Sequence, residues 1–126
     1  MDNKRPVILI VEDDEPSYLY LESILKQIPV TVLRVENGRK AVNLCGSGAQ
    51  VSLILMDLKM PVMDGLDATR KIKTINPGLP IIVITAYAFS GDEKIAVDAG
   101  CDEYLTKPVK KELLFKKLEA YGIQIT

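Results

Sequence analysis

Three apolar runs restrict what this sequence can fold into: VILIV at Val7–Val11, LILM closing the run 51–56, and IIVIT at Ile81–Thr85. Each is continuous rather than alternating, so both faces of each strand must be covered, as in a parallel sheet with helices on its two sides. Two weaker runs, Thr31–Val35 and Glu103–Thr106, read as further strands. The stretches between them carry helical spacing. In PSYLYLESILKQ, Tyr18, Leu21, Ile24, Leu25 and Ile28 share one stripe, with Tyr20 beside it and Pro16 suited to a first helical turn. DGLDATRKIKTI sets Leu66, Thr69, Ile72 and Ile75 inward, and KELLFKKLEAYG stops at Gly122. A strand followed by a helix, five times over with short links, implies an open, doubly wound α/β sheet of five parallel strands with five flanking helices. Right-handed crossovers place those helices on both faces.

At 126 residues the chain is expected to form a single domain over residues 1–126. Its 48% hydrophobic and 26% charged residues exclude disorder, and a net charge of −1 excludes a basic nucleic-acid-binding surface. No apolar stretch approaches the roughly 20 residues of a membrane span. Nothing resembles a secretory signal, so a cytoplasmic location is expected, with Cys45 and Cys101 as reduced thiols. The chain has no histidine, which removes histidine-based catalysis, zinc sites and any phosphohistidine of its own.

In sheets of this kind ligands bind beyond the carboxyl ends of the strands, so the residues just after each apolar run matter most. They are Glu12-Asp13-Asp14-Glu15, Asp57, Thr85-Ala86, and Thr106-Lys107-Pro108. The acidic quartet alone reads equally well as helix-capping residues, which the first turn of a helix favours. Asp57 is different, because acids from separate strands meeting at one edge repel unless a cation lies between them or one takes up a proton. A hard divalent ion such as Mg²⁺ satisfies a few carboxylates and keeps positions for waters and phosphate oxygens. Lys107 alone could be an ordinary salt-bridge partner. With Thr85 and a metal it would instead complete a place for a tetrahedral anion at Asp57, a constellation that fits phosphoryl transfer to a carboxylate.

The segments VILIVEDD, LILMDLKMPVMDG, IIVITAYA and YLTKP, in this order and spacing, closely resemble the receiver domain of two-component response regulators. The resemblance runs from Pro6 to about Leu118. It implies a flavodoxin-like fold with strand order 2-1-3-4-5 and Asp57 as the phosphoacceptor. It further implies a Mg²⁺ site, with Mn²⁺ as an alternative, formed by Asp13, Asp57, Glu12 through a water, and the backbone carbonyl of Lys59. Thr85 would turn its hydroxyl to the phosphoryl group, Ala86 would leave room, Lys107 would supply the counter-charge, and Tyr104 would be the aromatic switch. Lys107-Pro108 matches a cis peptide bond. Asp64-Gly65 matches the turn after the phosphorylation loop, with Gly65 expected to supply backbone freedom. Lys59 and Tyr87 occupy positions that the family leaves variable and are expected to tune the phosphate's lifetime, Tyr87 by partly shielding it from water.

By the same resemblance the partners are a sensor histidine kinase or a histidine phosphotransfer domain. A downstream protein would read the fourth helix, fifth strand and fifth helix, and the resemblance leaves room for a homodimer on phosphorylation. No direct nucleic-acid contact is expected. Such a protein is a signalling switch rather than an enzyme, with at most self-phosphorylation from small donors and autodephosphorylation. An aspartate-nucleophile phosphatase is disfavoured because it needs a second acid two residues after the nucleophile, where this chain has Lys59. A nucleotide or flavin binder is disfavoured because the first turn offers four acids and no glycine-rich cradle. The chain closes soon after its last helix, so either a free-standing receiver or the excised receiver of a hybrid sensor histidine kinase is expected.

Overall fold

The computed structural model describes residues 5–59, 64–86 and 91–126. Five strands alternate with five helices. They are β1 (Val7–Val11), α1 (Glu15–Leu25), β2 (Thr31–Val35), α2 (Gly38–Gly46), β3 (Leu53–Met56), α3 (Gly65–Ile75), β4 (Ile81–Thr85), α4 (Asp92–Ala99), β5 (Glu103–Thr106) and α5 (Lys111–Ala120). All neighbouring strands pair in parallel, in the order β2-β1-β3-β4-β5. The sheet is therefore doubly wound.

The continuous apolar runs are explained by the alternation of side chains across the sheet. Ile8 and Ile10 of β1, Leu53 and Leu55 of β3, and Ile82 and Ile84 of β4 face one core with Leu21, Ile24 and Leu25 of α1 and Leu114 and Leu118 of α5. Leu9, Val11, Ile54, Met56, Ile81 and Val83 face the other, with Ala41 of α2, Ala68 and Ile72 of α3, and Ala96 of α4. No residue of β3 or β4 is left partly exposed. β2 and β5, the two edges, are only half covered, which is why their sequences are the less apolar ones.

Local chemistry sets the helix ends. Asp14, Asn37 and Asp64 are N-caps whose side chains accept from the amides of Ser17, Lys40 and Asp67. At the other end of α5, Gly122 adopts φ +88, and the amides of Gly122 and Ile123 return to the carbonyls of Glu119 and Leu118. α2 and α4 bury only small residues, Gly38 and Ala41 in α2 and Ala96 and Ala99 in α4, where α1, α3 and α5 bury leucine or isoleucine. No described helix is long and apolar enough to cross a membrane.

Two expectations require correction. Ile75 does not face the core: it is 47% exposed at the last position of α3, beside Gly46 of α2, and Ala68 takes the inward place instead. Gly65 is also needed for a reason other than backbone freedom, since it is the first residue of α3 and its φ is not in the left-handed region. The reason is space. A Cβ at Gly65 would run into the Asp57 carbonyl oxygen and stand 2.8 Å from the Leu58 Cα, both of them backbone atoms that no side-chain rotation can move aside. The Gly65 amide meanwhile donates to the Leu58 carbonyl at 3.0 Å, so the start of α3 is fastened directly against the end of β3.

Gly65→Ala should accordingly destabilise the protein by about 1–3 kcal/mol, the usual range for overpacking a close contact. Urea unfolding measures this, and an unchanged midpoint would contradict the packing described.

Candidate functional site

The pairing of β1, β3 and β5 continues for one residue past the end of each, and this step fixes the main chain of Glu12, Asp57 and Lys107. The Glu12 amide donates to the Val35 carbonyl at 3.1 Å, the Asp57 amide to Val11 at 3.1 Å, and the Lys107 amide to Thr85 at 2.8 Å. β1 thereby delivers Glu12 and Asp13, β3 delivers Asp57, β4 ends on Thr85, and β5 leads to Lys107. They meet at the carboxyl edge of the sheet.

Glu12, Asp13 and Asp57 each offer a carboxylate oxygen within 4.8 Å of the others, the one such acidic cluster among the described residues. Glu12 is 2% and Asp57 7% exposed, while Asp13 lies open to solvent. The Lys107 ammonium reaches into this cluster, 2.7 Å from Glu12 Oε1, 3.7 Å from Asp57 Oδ2 and 3.3 Å from Ser17 Oγ. The second Glu12 oxygen accepts from the Asp14 amide at 3.2 Å, and Asp57 Oδ1 from the Lys59 amide at 3.4 Å.

Three carboxylates face one ammonium, and the imbalance is visible at Glu12 and at Lys107. Burial, with the Asp57 carboxylate beside it, pushes the Glu12 carboxyl up to about 7 despite its bond to Lys107. Lys107 moves up as well. Burial works against its charge, but the Glu12 hydrogen bond and the charges of Asp57, Glu12 and Asp14 outweigh that cost. A hard divalent cation fits this donor set: the ligands are all oxygens, and the cation would favour the ionised Glu12 that burial and the neighbouring Asp57 carboxylate now disfavour.

The remaining residues surround this centre. Thr85 is fully buried, and Ala86 after it is exposed. Thr85 borders a cavity of about 290 Å³ shared with Leu58, Lys59, Asp64, Leu66, Asp92 and Ile95. Tyr104 sits half-buried on β5, level with Val83, and packs against the core that α2, α3 and α4 cover. Burial raises its phenol above the ordinary value, as do Asp92 and Glu93 in the first turn of α4. The Lys107-Pro108 peptide bond is cis. Tyr87 lies outside the described residues. Both cysteines are free thiols whose proton affinity is raised by burial, Cys101 to about 11.

Two residues at the site have no counterpart in the sequence reading. Ser17, three residues after the Asp14 cap, reaches Lys107 from α1. Arg34 reaches the main chain of Glu12 from β2. A lone charge within the apolar run TVLRV is the signal that could have singled Arg34 out.

Comparison with known proteins agrees with this arrangement. The response regulator receiver domain profile matches residues 8–119. A cyclic di-GMP phosphodiesterase of Thermotoga maritima is 39% identical over 111 residues, 88% of this chain and 29% of that protein. The chain thus spans under a third of the curated relatives it matches, which include the sensor protein GacS of Pseudomonas syringae at 13% of its length. Among solved structures, the receiver domain of a Pseudomonas aeruginosa PAO1 sensor histidine kinase has a TM-score of 0.85 at 34% identity, covering 93% of this chain and 97% of that one. It carries a magnesium ion in its active site cleft. The Saccharomyces cerevisiae receiver domain of Ssk1, solved with the histidine phosphotransfer protein Ypd1, has a TM-score of 0.84 at 30% identity, covering 97% of this chain and 92% of that one. With this fold, this edge cluster and a profile match over nearly its whole length, the chain belongs to the response regulator receiver domain family.

Proposed function

We propose that Asp57 is the phosphoacceptor of a cytoplasmic two-component phosphorelay, taking a phosphoryl group from a phosphohistidine on a sensor kinase or phosphotransfer partner. The observation that carries this reading is the convergence of Asp57 with Glu12, Asp13 and Lys107 at one largely buried edge. The complex of a related receiver with a histidine phosphotransfer protein supports the donor class, and because residues 1–126 contain no histidine, the donor histidine lies outside them. The magnesium ion in the related cleft supports the metal. Asp13, Asp57, the Lys59 carbonyl and, through a water, Glu12 would hold Mg²⁺ here, with Mn²⁺ as a substitute. When bound, the ion supplies charge neutralisation for the phosphoryl oxygens.

A carboxylate oxygen of Asp57 attacks phosphorus in line. The new O–P bond forms as the P–N bond breaks, and the imidazole leaves with a proton from solvent. The product is an acyl phosphate carrying about −1.5 to −2 charges and strong acceptor oxygens. Lys107 already stands closer to Glu12 than to Asp57, so new anionic oxygens on Asp57 draw the ammonium across. Thr85 turns its hydroxyl to the phosphoryl group, for which exposed Ala86 leaves room, and Tyr104 moves inward behind it.

A downstream protein, or a second copy of the chain, then reads the altered face of α4, β5 and α5. Ile95 and Val97 of α4 are 46% and 52% exposed. A shift from 1:99 to 99:1 needs only about 5.5 kcal/mol of differential interaction. The same chemistry allows self-phosphorylation from small donors and slow autodephosphorylation, its rate set at Lys59 and Tyr87.

Mass spectrometry after incubation with acetyl phosphate and Mg²⁺ should find one phosphoryl adduct, absent in Asp57→Asn; an adduct that survives the substitution sinks the assignment. Mg²⁺ affinity should rise with pH through about 7, by at most about tenfold per unit for one proton released, because the ion needs the ionised Glu12. Metal-free stability runs the other way. The raised carboxyl stabilises the fold most below its ordinary value of 4.5 and loses that contribution as pH rises through about 7. Calorimetric titration across this range, with Glu12→Gln flattening the dependence, checks the sign. In Tyr87→Ala the phosphorylated form should lose its phosphate faster, and an equal half-life would remove Tyr87 from the mechanism.

A further inference from the structure

Arg34 is the only charged residue of β2. From that edge strand it reaches the turn that carries the acids. Its Nε donates to the main-chain carbonyl of Glu12 at 3.2 Å, its guanidinium carbon stands 4.3 Å from the centroid of the Tyr18 ring, and its Nη1 pairs with Glu15. The Glu12 amide, in turn, is held by the carbonyl of the next β2 residue, Val35. Both main-chain polar groups of Glu12 are therefore fixed from β2. Glu12 and Asp13 are consecutive, so this also sets the directions in which their carboxylates leave the chain.

We propose that Arg34 is a positioning residue for the divalent-cation site, aiming the Glu12 and Asp13 carboxylates at the ion by bracing the carbonyl between them. The inference rests on reading Glu12, Asp13 and Asp57 as the Mg²⁺ site. The guanidinium suits the task because one planar group stacks on Tyr18 with its face while its edge donates to two acceptors. An ammonium at this position would keep the charge without that fixed geometry. Charge alone predicts the opposite effect to positioning, since a cation beside a cation site repels the ion and its removal would tighten binding. The sign of the change thus separates the two.

Calorimetric titration of Mg²⁺ into the wild-type protein, Arg34→Gln, Arg34→Lys and Tyr18→Phe at one pH and ionic strength tests this, with urea unfolding of each metal-free protein alongside. Arg34→Gln should bind about tenfold more weakly, the lower end of what outer supports of metal ligands contribute. Arg34→Lys should fall between it and wild type. Tyr18→Phe, which keeps the ring and loses only the hydroxyl bond to Glu22, should match wild type. A merely structural brace would lower the urea midpoint and leave the folded protein's affinity unchanged. Equal or tighter binding by Arg34→Gln overturns the proposal, and if that variant does not fold, wild-type affinity in Arg34→Lys overturns it. Absence of Mg²⁺ binding by the wild-type protein overturns both this inference and the reading of the site beneath it.

Discussion

The ion pair between Lys107 and Glu12, 2.7 Å long and almost out of solvent, is the interaction on which the rest of the site depends. It lies among carboxylates that would otherwise separate. Two like charges 4 Å apart at an effective dielectric of 20 repel by roughly 4 kcal/mol. Fully burying one Leu or Ile side chain contributes about 1.5–3 kcal/mol. A few of the fully buried side chains of β1, β3 and β4 therefore offset the repulsion at their carboxyl ends. The core and the site are in this sense one construction, with the strands that bury the most apolar surface also holding the acids together.

Because the charges do not balance, the site is poised to respond. Burial holds the Glu12 carboxyl up at about 7, and Lys107 has two carboxyl groups in reach, at 2.7 and 3.7 Å. An ammonium with a second carboxylate in reach moves toward it when anionic charge is added there. Thr85 and the cavity it borders lie beside the same edge, and Tyr104 packs behind the adjoining strand with the acids of α4 close enough to affect its phenol. Change at the carboxylates has a short path to α4 and β5.

The sheet was legible because its information is local. Continuous runs at β1, β3 and β4 announced two-sided burial, and the residue after each run announced what the edge would carry. What escaped was set by partners distant in sequence. Ile75 follows the helical period of α3, yet the helix ends beside Gly46, which has no side chain to cover it. Gly65 reads as a turn glycine, but its requirement comes from the backbone of Asp57 and Leu58 pressed against it. Arg34 looks like an edge-strand charge until the turn after β1 is brought alongside. No periodicity encodes these contacts, which exist only after the sheet has closed.

The acidic quartet illustrates how two readings of one motif can both hold. In the turn from β1 into α1, consecutive side chains leave in different directions. Glu12 points into the buried edge and bonds Lys107, while Asp13 joins the cluster from the solvent side. Asp14 caps α1 by accepting from Ser17, and Glu15 opens the helix and pairs with Arg34. The first two residues thus belong to the site and the last two to the helix and its brace. The division follows from geometry: a strand ending in a helix must turn, and a turn distributes four identical charges among four environments. Capping also serves the site, because a well-ended α1 places Ser17 within reach of Lys107 and Tyr18 beneath Arg34. Helix-favouring acids and chemistry-bearing acids are adjacent here because the same turn needs both.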